Sequence, residues 1–390
     1  FREVNGVLHA FRQDVEILPL GQKQTITATM LETNLEVDPA LFDPPAEEAD
    51  DYTFTQGGDS AEVTFEYISN HIFVRVALDG VDGLWVLDTG ASMSVVDRGY
   101  AEELGLSLSG EIVGKGAQHT VEAAFTTLPP FSVGSIGFQE QQVAVIDVVW
   151  LFRQLADIEV VGILGYDFLS RFVTRVDYAN EMLTFYERDA FEYSGDGAVL
   201  SAPLRENIFS VEACVDGVHE GRWMLDLGAG GMTFDSRYAR EHGLGDRKGI
   251  YKKGHGAGGG FVRYHVQHES VEFGGHIVES PVVSSPDYNK KRTGEVADIE
   301  EIGNLGNTLF RHFVLYLDYD NQQIIVEKGG DFDREFPRDR SGLQLWRPDE
   351  AVEVLYASPG TPADEAGFVE GDVILTINGE DVASHGTLLD

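Results

Sequence analysis

An internal repeat constrains this chain more than any other feature. Residues 72–80 (IFVRVALDG) are echoed by residues 209–217 (FSVEACVDG), and residues 84–90 (LWVLDTG) by residues 222–228 (RWMLDLG). Further on, residues 161–165 (VGILG) match 302–306 (IGNLG), and residues 172–178 (FVTRVDY) match 313–319 (FVLYLDY). Asp88 and Gly165 are 77 positions apart, and Asp226 and Gly306 are 80 apart, so separate matches keep nearly one spacing. Self-similarity at a fixed offset means duplicated structural units. A unit of about 120 residues is large enough to form one domain.

Local patterns give each copy the same β-rich beginning. An alternating strand runs into an Asp-Gly turn (Asp79-Gly80, Asp216-Gly217), and a second strand follows with Trp85 or Trp223 three residues before an aspartate. Helices are expected near residues 98–104 and 236–242, with Gly105 and Gly243 placed as C-terminal caps. The expected organisation is a β-rich extension over 1–58, ending in an acidic, Pro-containing linker at 42–51. The two copies then span 59–195 and 196–330, and a distinct segment spans 341–390.

Composition removes several classes of function. Acidic residues number 66 against 28 basic, a net charge of −38, which argues against nucleic acid and anionic membrane surfaces as partners. The longest apolar run, residues 143–152, is broken by Asp147 and is too short for an integral membrane segment. Cys214 is the lone cysteine, so neither an intramolecular disulfide nor a Cys-based zinc site is available. It is expected as a small core or interface residue. His255, His265, His268 and His276 lie close in sequence without an H-E-x-x-H pattern, and surface or turn positions are expected. No metal or cofactor is expected. Gly254 to Gly259 formally matches G-x-G-x-x-G, but a strand-like run follows where a phosphate loop needs a helix. A hairpin tip fits better. No G-x-S-x-G elbow supports a serine nucleophile.

Asp88-Thr89-Gly90 in isolation is a common strand-ending turn. Its setting is less common: an apolar strand precedes it, Ile163-Leu164-Gly165 follows at a fixed distance, and a second copy repeats both features. This combination resembles the aspartic peptidase superfamily, particularly bacterial retropepsin-like proteins, over about residues 60–328. The resemblance implies two tandem β-barrel domains related by a pseudo-twofold axis. It further implies a catalytic pair, Asp88 and Asp226, on loops supported by Thr89, Gly90, Leu227, Gly228, Gly165 and Gly306. Two adjacent carboxyls share one proton and divide the roles of base and acid, so peptide hydrolysis needs no cofactor. The second copy departs from the pattern. Leu227 replaces a Thr or Ser, and Asn304 replaces an apolar residue before Leu305-Gly306. A leucine cannot form the hydroxyl bond that ties the loops together, and a buried amide left unpaired is the expected consequence. Two readings follow: an aspartic endopeptidase acting on peptide or protein substrates, and a pseudoprotease that binds peptides without cutting them.

Residues 341–390 carry another pattern. A strand at 352–356 leads to Pro362, placed to open a short helix, and Gly367, placed to end it. Asn378-Gly379 then closes a hairpin. This segment resembles a PDZ domain of bacterial proteases, and Asp390 falls before the last elements such a domain needs. The resemblance implies that Gly342, Leu343, Gln344 and Leu345 receive the C-terminus of a peptide ligand. The chain begins at Phe1 with no leader visible, and a periplasmic or extracellular location is expected.

Overall fold

The Asp-Gly pairs close the first hairpin of each copy. Asp79 and Gly80 have φ of 49° and 79°, and Asp216 and Gly217 have 55° and 65°, the left-handed conformations of a type I′ turn. Strands His71–Leu78 and Val81–Leu87 meet in register Leu78↔Val81. The second hairpin, Ile208–Val215 with His219–Leu225, carries one extra residue, Val218, because its register starts at Val215↔His219. In this computed structural model, residues 1–17, 22–37, 51–115, 120–149, 152, 158–256, 259–286, 301–346 and 351–382 are described. The linker up to residue 50, both hairpin tips (116–119 and 257–258) and the end of the chain beyond 382 lie outside them.

The protein is mainly β, with two large mixed sheets built by the same plan. In the first, the strand order runs Ser109–Lys115, Thr120–Leu128, Gln141–Ile146, Val95–Asp97, Gly162–Leu164, Val81–Leu87, His71–Leu78. In the second it runs Gly249–Gly256, Gly259–Gln267, Val282–Pro286, Met232–Phe234, Gly303–Leu305, His219–Leu225, Ile208–Val215. The helices fall where the caps place them: Arg98–Glu103 after Asp97, and Ser236–Glu241 after Asp235, with both aspartates accepting first-turn N–H groups. Gly105 and Gly243 follow at φ 68° and 61°. At the edge of the first sheet Tyr52–Phe54 pairs with Ile136–Phe138, so the chain is already part of this sheet from the start of the described stretch 51–115.

A further six-stranded sheet takes three strands from each copy. At its centre Phe172–Asp177 runs antiparallel to Phe313–Asp318, with Arg175 opposite Tyr316. Those two are equivalent repeat positions, so the pseudo-twofold axis passes between them. One apolar core continues through both copies and includes Trp85, Trp223, Leu87, Leu225 and Leu227. No helix among the described residues is long and apolar enough to cross a membrane.

The C-terminal segment forms a small sheet from Leu343–Trp346, Val352–Ala357 and Val373–Ile374, with helix Pro362–Glu365 beside it. Pro362 opens that helix, Gly367 follows it at φ 85°, and Asn378 and Gly379 turn the last hairpin at φ 54° and 85°.

Candidate active site

Each aspartate stands one residue beyond a strand whose parallel neighbour ends at a leucine. Leu87 is in register with Leu164, and Leu225 with Leu305. The Asp88 N–H donates to the Leu164 carbonyl, and the Asp226 N–H to the Leu305 carbonyl, both at 3.0 Å. The chain then crosses itself at Gly165 and Gly306. A Cβ on Gly165 would lie 2.7 Å from the Met93 carbonyl carbon, and one on Gly306 2.5 Å from the carbonyl oxygens of Ala229 and Gly231. Backbone cannot yield as a flexible side chain can, so both positions require glycine.

The two loops meet face to face. A Cβ on Gly90 would lie 2.7 Å from Asp226 Cγ, and one on Gly228 would lie 2.2 Å from Asp88 Cγ. Each carboxyl thus lies across the glycine of the opposite loop, which brings the two acids close enough to act on one another. Loss of hydration and then the neighbouring Asp226 push the Asp88 carboxyl well above the usual carboxylate range. The Gly90 N–H, donating to Asp88 Oδ1 at 2.7 Å, pulls the other way.

Thr89 is fully buried and joins the loops. Its hydroxyl donates to the Leu225 carbonyl and accepts the Leu227 N–H, both at 2.9 Å. The Leu227 amide is therefore paired through the hydroxyl of the first loop, whatever side chain residue 227 carries, but Leu227 has no hydroxyl with which to return the bond to the first loop. The Leu227 side chain is 0% exposed and packs in the common core. Its carbonyl accepts an N–H of Asn307 at 2.7 Å. That amide also donates to the Asn70 carbonyl at 2.9 Å and accepts from the Tyr178 hydroxyl at 2.6 Å. Asn307 thereby pins the second loop to the first copy.

Four more residues lie near the pair, of which the motifs mark only Asn304, as a departure from the pattern. Asn304 donates from Nδ2 to Asp226 Oδ2 at 2.7 Å. His71 is buried with its Nδ1 2.7 Å from the Ser69 carbonyl; burial lowers it, while Ser69, Asp226 and the Gly228 backbone pull it up. The Tyr319 hydroxyl is buried with no hydrogen-bond partner among the described residues, and burial and nearby Asp88 raise it. Asn307 is the fourth. Aligning the repeats exposes two of them: Asn304 stands where the first copy has Ile163, and Tyr319 matches Tyr178. Nothing in the sequence marks His71.

The histidine expectation needs correction at His268, which is 4% exposed. It lies just past strand Gly259–Gln267, where its N–H donates to the Pro281 carbonyl and its ring meets Asp216 at 2.7 Å. The structure does not expose it because its ring packs against the half-buried turn carboxylate of Asp216, where burial holds the imidazole below its ordinary range. Cys214 is a half-buried, free thiol on strand Ile208–Val215.

Gly342–Leu345 do not join the aspartate loops. Gly342 has φ of 70°, and a Cβ there would lie 2.3 Å from the Thr361 hydroxyl. Leu343, Gln344 and Leu345 lie in strand Leu343–Trp346. The Gln344 side chain is already engaged by the second-copy hairpin, accepting the Lys253 N–H at 2.9 Å and donating to the Lys253 carbonyl at 2.8 Å.

A family model described as Aspartyl protease matches residues 74–168 and again residues 211–308, one match for each copy. A second model, PDZ domain, matches residues 353–390. Among solved structures, the crystal structure of aspartic proteinase from Irpex lacteus is similar at 11% identity and a TM-score of 0.47, covering 70% of this chain and 98% of that one. No curated protein matches the chain.

Proposed function

The chain carries an aspartyl protease domain in two halves followed by a PDZ domain, and from that premise we propose that it is an aspartic endopeptidase working through Asp88 and Asp226. The observation that carries this reading is the contact of the two carboxyls across opposed glycines, held by the Thr89 hydroxyl. Two carboxyls so close cannot both ionise cheaply, so one proton is shared; dyads of this kind are the general example of that effect.

The pair then has what hydrolysis requires. One carboxylate takes a proton from water as its oxygen attacks the peptide carbonyl carbon, and the protonated partner gives its proton to the carbonyl oxygen. In the collapse, the first carboxyl returns its proton to the amide nitrogen, the C–N bond breaks, and the second recovers a proton from the diol. The products are a carboxylic acid and an amine, and the pair is restored.

The PDZ domain implies peptide ligands. We take Gly342–Leu345 as the receiver of a peptide C-terminus, which would raise the local concentration of chosen substrates near the pair.

Cleavage of a diverse peptide library, with Asp88→Asn and Asp226→Asn as controls, tests the reading. Each variant is expected to lose nearly all turnover, because the pair acts as a unit. Cleavage surviving in either variant would sink the assignment. Peptide binding without cleavage by the unaltered chain at any pH would favour the pseudoprotease reading, to which Leu227 in the second loop belongs.

A further inference from the structure

We propose that Asn304 positions the shared proton: Asp226 stands ionised and acts as the base toward water, while Asp88 carries the proton and acts as the acid. This rests on the peptidase reading above and assigns the two roles it leaves open.

The two copies differ at this point. In the first, the position before Leu164 is Ile163, packed with Phe73, Val86 and Val95, and it offers Asp88 no donor. In the second, the equivalent Asn304 donates to Asp226 Oδ2 at 2.7 Å. An N–H donor binds an ionised carboxylate more strongly than a protonated one. The other oxygen, Asp226 Oδ1, is buried and has no hydrogen-bond partner among the described residues. A buried acceptor without a donor is costly. The Asp88 carboxyl faces Asp226 across the opposed glycines, and a proton on Asp88 supplies the missing donor. Both oxygens of Asp226 are then satisfied as acceptors.

The groups facing the pair agree with this order. Asp226 is faced by Asp88 from the other loop, by Asn304 from strand Gly303–Leu305, and by His71 from strand His71–Leu78. A proton on His71 would add to the preference for charge on Asp226. Asp88 is faced by Asp226 and by the phenol Tyr319, with Tyr166 behind it, and by no cation among the described residues. The Gly90 and Ala91 N–H groups favour charge on Asp88, but loss of hydration outweighs them there.

Infrared spectroscopy of the carboxyl C=O band at pH 6 tests the assignment without needing turnover. The band of a protonated buried carboxyl is expected to persist in Asp226→Asn and to vanish in Asp88→Asn. Adding Asn304→Leu to Asp88→Asn should restore it, since Asp226 is then buried without its donor. A band present in Asp88→Asn alone, or unmoved by Asn304→Leu, overturns the proposal. Asn304→Leu repeats the apolar choice of Ile163; should it fail to fold, Asn304→Ser removes the same amide, and the two single-aspartate spectra decide in either case. Where cleavage is measurable, the acid limb of the kcat/KM profile should move up by about one pH unit in Asn304→Leu. Absent cleavage with the infrared pattern intact would reject the peptidase reading and leave the proton assignment standing.

Discussion

Thr89 carries the only hydroxyl of the two triplets Asp88–Gly90 and Asp226–Gly228, and both of its bonds cross from one copy to the other. Thr89→Val keeps the shape and removes both bonds, stranding the Leu227 N–H and the Leu225 carbonyl. An unpaired buried group costs about 1–3 kcal/mol, so a clear fall in melting temperature and a loss of turnover are expected, with Thr89→Ser restoring much of both. Unchanged melting of the valine variant would show that the crossing bonds do not hold the loops. Leu227 makes the opposite case. Its side chain is fully buried among apolar neighbours, so Leu227→Thr creates a cavity and buries a hydroxyl. A loss of about 2–3 kcal/mol is expected, with no gain in cleavage. Higher turnover at unchanged melting temperature would mean that the loop lacks only a hydroxyl.

Each copy stacks a tryptophan on a glycine of the neighbouring parallel strand, which explains why Trp85 and Trp223 recur at one distance from the aspartates. Trp85 is in register with Gly162, and Trp223 with Gly303. A Cβ on either glycine would lie 2.3 Å from the indole ring. Gly162→Ala and Gly303→Ala should each destabilise by about 1–3 kcal/mol through overpacking, read as a drop in melting temperature. A tolerated alanine would show that the ring moves aside freely. The turn that opens the second copy carries a pH-sensitive contact. Burial raises Asp216, but Arg247, His268 and the Glu269 N–H outweigh it and bring the carboxyl down to about 2. A depressed folded value stabilises the fold above the ordinary carboxylate range and loses that contribution as pH falls through about 2. Melting curves of wild type and Asp216→Asn should therefore differ at neutral pH and converge from about pH 4 downward. A gap independent of pH would remove the ion pair as its cause.

Over the whole molecule, the C-terminal sheet is seated on the hairpin of the second copy, by contacts that no motif announces. The Tyr251 N–H donates to the Ser358 hydroxyl at 2.8 Å, and Lys253 pairs with Gln344 through both backbone groups. Lys252 meets Asp339 at 2.9 Å and Lys253 meets Glu370 at 2.5 Å. The edge of strand Gly249–Gly256 is thus covered where an exposed edge would invite pairing. Removing these acceptors with Gln344→Ala and Ser358→Ala should speed hydrogen exchange at the Tyr251 and Lys253 amides while leaving the central six-stranded sheet protected. Equal exchange rates in the variant would mean that the seat does not protect the hairpin.

The duplication, the Asp-Gly turns, the helix caps and the pairing of each aspartate with its Leu-Gly segment are local or repeated patterns, so the amino-acid order alone determined them. Backbone sterics and strand periodicity act over a few residues, and the repeat shows the same answer twice. The contacts between side chains far apart in sequence were decided only in three dimensions. Asn307 reaches Asn70 and Tyr178, His71 faces Asp226, Asn304 holds one carboxyl, and Gln344 meets Lys253, each across a distance in sequence that no local pattern spans. A buried polar group takes whichever partner the packed chain brings within about 3 Å, and that choice exists only after the sheets have closed on one another.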